Sequence, residues 1–469
     1  RRHNVVIVAE GAIDRQGNPI SSEYVKQVLT EKLGEDTRVT LLGHVQRGGT
    51  PSAFDRNMST MLGAAAVEHL IAADPNEEPQ LFGIRDNEVF HSPLMENVRK
   101  TKLVAELINK GDYTGAMEMR GRGFVESYEN LKTLVQAQPN PAHDGQRQLR
   151  LAVLHMGGPA PGMNTAVRAA VRLGLDRGHT MLSVHNGLNG LISGQVHEMK
   201  WMSTHGWVAR GGAELGTSRQ APKPEDLPRI AKTLQEHRID GLLIVGGWIA
   251  YQLAYQFAIH RDEHPALAIP VVCVPATINN DLPGTEITIG ADTALNTIVN
   301  DVDKIKESAV ATQRCYVVEV MGHDCGYLAL MSGLASGAER VYLPEEGILL
   351  DDLRYDVAEM IDGFRQGKRL GLVMRSEHAD PYYTTPFLVS LYEKEGGALF
   401  DARPSILGHT QQGGRPSPFD RIQAIRLSAL ALLHPVGLAE KGEPAAACIG
   451  RQAGKIRFTD LADLPALIE

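Results

Sequence analysis

The residues best suited to chemistry in this chain lie in one line that is written twice. Arg38–Arg56 reads RVTLLGHVQRGGTPSAFDR and Arg403–Arg421 reads RPSILGHTQQGGRPSPFDR, displaced by 365 residues without a gap. Each copy sets a histidine (His44, His409) three residues ahead of Arg47 or Gln412, before two glycines, with Arg38 or Arg403 upstream. A histidine and a guanidinium at that spacing can converge on one oxyanion. A lone histidine is more often a core residue, but the same histidine kept in both copies favours a ligand role.

Three further segments carry polar groups at the ends of apolar runs. Gly157–Asn164 (GGPAPGMN) is a glycine-rich turn between a strand and a helix, where backbone N–H groups can hold an anion. Close packing produces the same glycines. Arg210–Arg219 is a second glycine-containing loop ending in a guanidinium, read either as a phosphate contact or as a surface arginine. Pro275–Thr285 (PATINNDLPGT) follows an apolar strand, where α/β proteins hold ligands, although Asx-turn chemistry has the same composition.

Such groups need a scaffold, and the sequence specifies an α/β one. Short apolar runs at Leu151–Met156, Gly241–Val245, Ile269–Val274 and Cys315–Val320 read as strands. They alternate with helical patterns at Asn164–Leu175, Leu227–His237 and Asp292–Ser308, the order of a mostly parallel sheet covered by helices. Ahead of them, Lys100–Asn109 and Gly115–Glu126 read as helices, and the polar, proline-containing Gln136–Gln148 as a linker. Val5–Val8 is read as a core strand rather than a signal peptide after Arg1-Arg2-His3, because the apolar stretch is short and Glu10 interrupts it.

The 469 residues suffice for two or three domains, and 43% hydrophobic content with 22% charge is that of a globular chain. A net charge of −9 argues against nucleic acid held by bulk positive charge. No apolar run nears the ~18 residues of a membrane span. Cys273, Cys315, Cys325 and Cys448 form no CxxC pair and read as buried free thiols of a reducing compartment.

Taken together, GGPAPGMN, LGTSR, IVGG, TINND, GADTALNT, VVEVMG and LGHTQQGGRPSPFDR, with VAEGA and LGHVQRGG in the first copy, resemble 6-phosphofructokinase. The resemblance is to the tandem-duplicated, ATP-dependent eukaryotic type and spans essentially the whole chain. It implies units of two three-layer α/β/α domains with mostly parallel sheets, one copy partial and one nearly complete. Residues 1–135 would be the rear of an N-terminal catalytic half, 136–150 a linker and 151–469 a C-terminal regulatory half. In such enzymes the first half transfers the γ-phosphoryl group of ATP, with Mg²⁺, to the 1-hydroxyl of fructose 6-phosphate. The second binds fructose 2,6-bisphosphate as activator. A cytoplasmic, glycolytic homotetramer is implied, with neither nucleic acid nor membrane as partner.

Carried over motif by motif, the resemblance implies substrate contacts at Glu10, Arg38, His44, Val45, Gln46 and Arg47. It implies effector contacts at Arg219, Thr277, Ile278, Asn279, Asn280, Asp281, Arg314, Met321, Gly322, His323, Glu377, Arg403, His409, Thr410, Gln411 and Gln412. Arg314 and Arg403 would reach into a neighbouring subunit. Two departures bear on catalysis in the second copy. The family base, the first Asp of TIDND, is replaced by Asn279, and an amide cannot accept the sugar proton. The Asp of the family's GGDGS loop is replaced by Trp248, whose indole offers Mg²⁺ no oxygen. His323 for Arg, and Gln412 against Arg47, lower the positive charge.

Glu10 aligns with Glu377, yet nine residues precede it where about 220 precede its counterpart in the second copy. The expectation is a piece of a longer enzyme, with base, Mg²⁺ ligand and ATP loop lying before Arg1 and no complete active site in this chain. Two rival readings are a pyrophosphate-dependent enzyme and a non-catalytic sugar-phosphate sensor.

Overall fold

The computed structural model describes residues 5–34, 36–85, 87–142 and 145–468. Two compact units make up the chain, Arg1–Pro51 and Ser52–Glu469. The first contains helix α1 (Ser22–Leu33) and a 3-10 turn, Gly43–Arg47. The Ser21 side chain caps α1 by accepting the Tyr24 N–H, and Gly34 ends it at φ 65°, a left-handed position that suits glycine. The expected core strand at Val5–Val8 is absent: the segment is unpaired, and Val5 and Ile7 are 84% and 91% exposed. Its counterpart, Leu370–Ser376, is a strand hydrogen-bonded on both sides. A strand exists only where neighbours take its backbone groups, and none of the described residues does so for Val5–Val8. Arg1–His3 lie outside the described residues.

The second unit opens with α2 (Ala53–Ala72), a hairpin of β1 (Gln80–Arg85) and β2 (Glu88–Pro93), then α3 (Leu94–Asn109), α4 (Tyr113–Met119) and α5 (Arg122–Leu134). The single helix expected at Gly115–Glu126 is thus two, broken at Gly121, where φ is 93°. A loop carries the chain from α5 to β3 (Arg150–Met156); it lies within the Ser52–Glu469 unit, and His143 and Asp144 in it are outside the described residues.

From β3 the chain alternates. It passes through α6 (Met163–Asp176), β4 (Thr180–Val184), α7 (Gly187–Ser193), β5 (Val196–Glu198), α8 (Leu227–Glu236) and β6 (Gly241–Gly246). Next come α9 (Trp248–His260), β7 (Pro270–Thr277), β8 (Ile289–Gly290) and α10 (Ala291–Thr312). A second stretch runs β9 (Arg314–Val320), α11 (Tyr327–Ser336), β10 (Arg340–Tyr342), α12 (Leu350–Arg365), β11 (Leu370–Ser376), α13 (Thr385–Gly396) and β12 (Asp401–Ile406). α14 (Pro418–Lys441), β13 (Ala445–Gln452) and β14 (Lys455–Asp460) complete the chain.

Two sheets result. The larger has the order β14-β13-β7-β6-β3-β4-β5, with β8 added to β7; its interior pairs are parallel and its edges β14 and β5 antiparallel. The smaller, β10-β11-β9-β12, is wholly parallel. Strand alternation builds a core on each face. Along β3, Leu151 and Val153 join the core with α6 and α14, while Ala152, Leu154 and Met156 join the core with α8 and α9. Along β9, Val318 and Val320 face α10 and α11, whereas Cys315 and Val317 face α12 and α13. Each sheet is therefore the middle of three layers, and the fold is α/β with mostly parallel strands.

Two composition-based expectations need correction. Among the described residues α14 is long and apolar enough to cross a membrane, with mean hydropathy 1.4 over 18 residues. Its apolar side chains pack against α6 and β7, and 56% of that window is buried, so its hydropathy reflects a core position. All four cysteines are free, but Cys325 is half-buried, unlike the other three.

Candidate functional site

Ligands of parallel α/β sheets gather beyond the carboxyl ends of the strands. Here β3, β6 and β7 run out into Gly157, Gly247 and Ile278, and β9, β11 and β12 into Met321, Glu377 and Leu407. The two sets of loops meet. Arg219 Nη2 donates to Gln412 Oε1 at 3.4 Å, joining the Arg210–Arg219 loop to the 3-10 turn Gly408–Gln412. Gly158 lies beneath this pair: a Cβ there would stand 3.5 Å from the Arg219 guanidinium.

The Arg210–Arg219 loop is held by Asn164, a fully buried residue that sequence reasoning assigned no role. Its Nδ2 donates to the carbonyls of Arg210 (3.1 Å) and Gly211 (3.0 Å), and its Oδ1 accepts the Glu214 N–H (2.8 Å). Gly157 N–H donates to Ser218 O and Thr217 Oγ1 donates to Gly157 O, both at 2.8 Å. These bonds change the reading of Gly157–Asn164. The start of α6 is not an open anion site, because Ala160–Thr165 are buried. The glycines serve packing: Gly162 has φ 111° and a Cβ there would fall 2.5 Å from Ile289. Asn at the end of GGPAPGMN was the available signal.

On the small-sheet side, Glu377 Oε1 accepts the N–H groups of Gly322 (3.2 Å) and His323 (2.8 Å). Gln411 is fully buried; its Oε1 accepts the Met321 N–H and its Nε2 donates to Gly408 O. Ile278 is buried in the apolar core. The side chains of Gln411 and Ile278 thus position the loops and offer a ligand nothing, a correction to the direct contacts expected of them. Asn280 is likewise committed: at φ 60°, it accepts the Thr288 N–H and donates to Glu286 O. Thr277, Asn279, Met321 and Gln412 are half-buried, and His323, His409 and Thr410 are exposed, on the same strand-end edge.

Asn279 and Trp248 surround Asp281. Asn279 Nδ2 donates to Asp281 Oδ2 at 3.2 Å. Burial pushes the Asp281 carboxyl above the ordinary carboxylate range, against the bonds from Asn279 and the Trp248 indole that favour its ionised form. A Mg²⁺–nucleotide does not fit this donor set: it presents an amide, an indole and one carboxyl whose charge burial disfavours. Phosphoryl transfer needs positioning, metal and base together, so no such step is drawn through these residues.

Arg314 and Arg403 stand elsewhere. Arg314 begins β9, seven residues before Met321, and Arg403 is the third residue of β12, paired beside Tyr316 and six residues before His409. Both lie by Asp401, at 3.8 and 3.3 Å, and Arg403 also pairs with Glu393 at 3.4 Å. Of the arginines expected at the effector site, Arg219 stands at the strand ends, beside Gln412. In the Arg1–Pro51 unit, Glu10 sits in a turn, and His44, Val45, Gln46 and Arg47 line the 3-10 turn; all are exposed. Arg38 is exposed, 3.9 Å from Asp36.

The downstream FDR triplet works inside the fold. Asp420 is fully buried: Oδ1 accepts the Gly290 N–H (2.9 Å), and Oδ2 accepts the N–H (2.8 Å) and hydroxyl (2.5 Å) of Thr293. It thereby takes donors at the start of α10.

A family model described as phosphofructokinase matches residues 1–70 and 150–434. The muscle-type ATP-dependent 6-phosphofructokinase of Canis lupus familiaris is 43% identical over 432 residues, covering 92% of this chain and 55% of its own length. The phosphofructokinase of Pichia pastoris in the T-state has a TM-score of 0.93 at 36% identity, over 98% of this chain and 55% of that one. That of Saccharomyces cerevisiae has a TM-score of 0.92 at 38% identity, over 97% and 62%. The chain therefore spans about half the length of the relatives it matches. With two mostly parallel sheets whose strand ends meet and a family model matched over most of its length, this chain belongs to the phosphofructokinase family.

Proposed function

We propose that this chain is part of an ATP-dependent 6-phosphofructokinase and that its own ligand is a sugar bisphosphate, fructose 2,6-bisphosphate, bound without turnover. Residues 1–135 are the rear of the catalytic half, offering Glu10, Arg38 and His44–Arg47 to fructose 6-phosphate. Residues 151–469 are the regulatory half. The observation that carries this reading is the contrast within one cleft. By the motif resemblance Asn279 and Trp248 stand where the family has its base and metal ligand, and both bond Asp281. Meanwhile Arg219, Gln412, His409, Glu377 and the Met321–His323 loop remain assembled on the same edge.

One guanidinium is a thin complement for two phosphates. Arg314 and Arg403 would supply the rest from a neighbouring copy, within a homotetramer of the cytoplasm. ATP and Mg²⁺ belong to the catalytic half of the longer enzyme.

Calorimetry of fructose 2,6-bisphosphate against the chain tests the assignment. Saturable binding is expected, weakened in Arg219→Ala, Arg403→Ala and His409→Ala by about 10-fold or more, the loss of one charge-assisted hydrogen bond. A coupled assay with fructose 6-phosphate and Mg²⁺–ATP should show no turnover. No binding by the parent chain, or equal binding by all three variants, would overturn the reading.

A further inference from the structure

Beside the cleft, two imidazoles converge on one carboxylate. His323 Nδ1 lies 2.8 Å from Asp324 Oδ2, and His378 Nδ1 lies 3.0 Å from Asp324 Oδ1. The ring centroids are 4.6 Å apart, and one ligand atom from each of the three residues falls within 4.8 Å of the others. We propose that His323, Asp324 and His378 form a binding site for a divalent transition-metal ion of the Zn²⁺ class.

The donor set selects the ion. Two neutral imidazole nitrogens and one carboxylate oxygen suit Zn²⁺ and its neighbours, whereas Mg²⁺ takes oxygen ligands. Spacing is close to what such an ion needs. With bonds of about 2.0–2.1 Å, adjacent ligand atoms of a tetrahedron lie about 3.3 Å apart. Each Nδ1 stands a few tenths of an ångström inside that spacing from its own Asp324 oxygen, and the two imidazoles, whose ligand atoms lie within 4.8 Å, would close on the ion. In the metal-free state each Nδ1–H can donate to Asp324. On binding, the ring hydrogen resides on Nε2 and Nδ1 turns its lone pair to the ion.

The two histidines are also held in place. His323 follows β9 and His378 follows β11, adjacent strands of the small sheet. Glu377 ties their loops together, since its Oε1 accepts the His323 N–H at 2.8 Å. His323 has φ 52°, a left-handed position that a non-glycine residue takes only where its surroundings require it. All three side chains are exposed, so an ion can enter and a fourth position remains for water or an anionic ligand. The site stands whether or not the cleft takes a sugar bisphosphate.

Calorimetry of ZnCl₂ against the 469-residue chain, beside His378→Ala, Asp324→Asn and His185→Ala, tests it. His185 and His197 form an imidazole pair with centroids 4.9 Å apart and serve as a control. One Zn²⁺ site is expected in the parent, unchanged in H185A and weakened at least about 10-fold in H378A and D324N. MgCl₂ should not compete for it. The Co²⁺-loaded parent should show visible bands of a low-symmetry site that H378A lacks, with far-ultraviolet circular dichroism unchanged. No saturable Zn²⁺ binding, or the same isotherm in parent, H378A and D324N, would overturn the proposal.

Discussion

Asp420 shows why repeated residues need not be ligand residues. Its carboxylate accepts three bonds from Gly290 and Thr293, more than a hundred residues earlier in the chain, and no sequence pattern marks that partnership. Asp420→Ala would leave these donors buried without an acceptor, costing about 1–3 kcal/mol. Urea unfolding should register the loss as a lower midpoint with an unchanged slope; an unchanged midpoint would mean the donors find other acceptors. The same limit applied to the cleft. Arg219, Glu377, His409 and Gln412 could be singled out from motif and residue type, and they stand on one strand-end edge. Asn164, which holds the Arg219 loop, was not, because its three bonds depend on how two distant loops cross.

At the scale of elements, interior strands were the easiest to read. The runs at Leu151, Gly241 and Cys315 start strands within a residue of the expected places, because apolar runs buried on both faces carry a strong pattern. Helix ends were harder. α10 runs to Thr312, four residues past its expected end, and Gly121 divides what read as one helix. Val5–Val8 failed for a different reason, since pairing is decided by what lies alongside. Glycine at the start of α6 is a property of the element too. Gly162→Ala places a Cβ against Ile289 at a φ of 111°, and should cost about 1–3 kcal/mol. Hydrogen exchange should also quicken across residues 210–219, which the adjoining Asn164 secures. Unaltered exchange there would detach that loop from α6.

For the molecule as a whole, stability in acid is set partly by His155. Burial near the end of β3 lowers its pKa to about 4, with Nε2 within 3.3 Å of Met163 O and Nδ1 lacking a partner. The folded pKa lies below the ordinary 6.5, so the unfolded chain binds the proton first. Stability is full above about 6.5 and falls as pH drops towards 4, by on the order of 3 kcal/mol. Asp420 works oppositely: burial raises its pKa to about 6, and the stability linked to its proton is present below about 4 and lost as pH rises through 6. The two offset one another between about 4 and 6. His155→Leu should flatten the acid limb, measured as unfolding free energy at pH 7, 5.5 and 4.5. An unchanged limb would assign acid sensitivity elsewhere.

Phe54 and Phe419 are separated by the same 365 residues as the duplicated histidines, and their rings stack with centroids 6.0 Å apart. Around them, Ala53 N–H and Arg56 reach Asn296 and Asp303 of α10, while Asp420 reaches Thr293 of the same helix. A residue that meets its own copy is the mark of a two-fold contact between identical molecules. Here both partners belong to one chain, so the contact has the form of a dimer joint made within a single molecule. Such a joint no longer has to be self-complementary. Asp55 stays exposed and caps its own helix with Ser52, while Asp420 has been drawn into the core. Each side of that seam can now change without its image changing too.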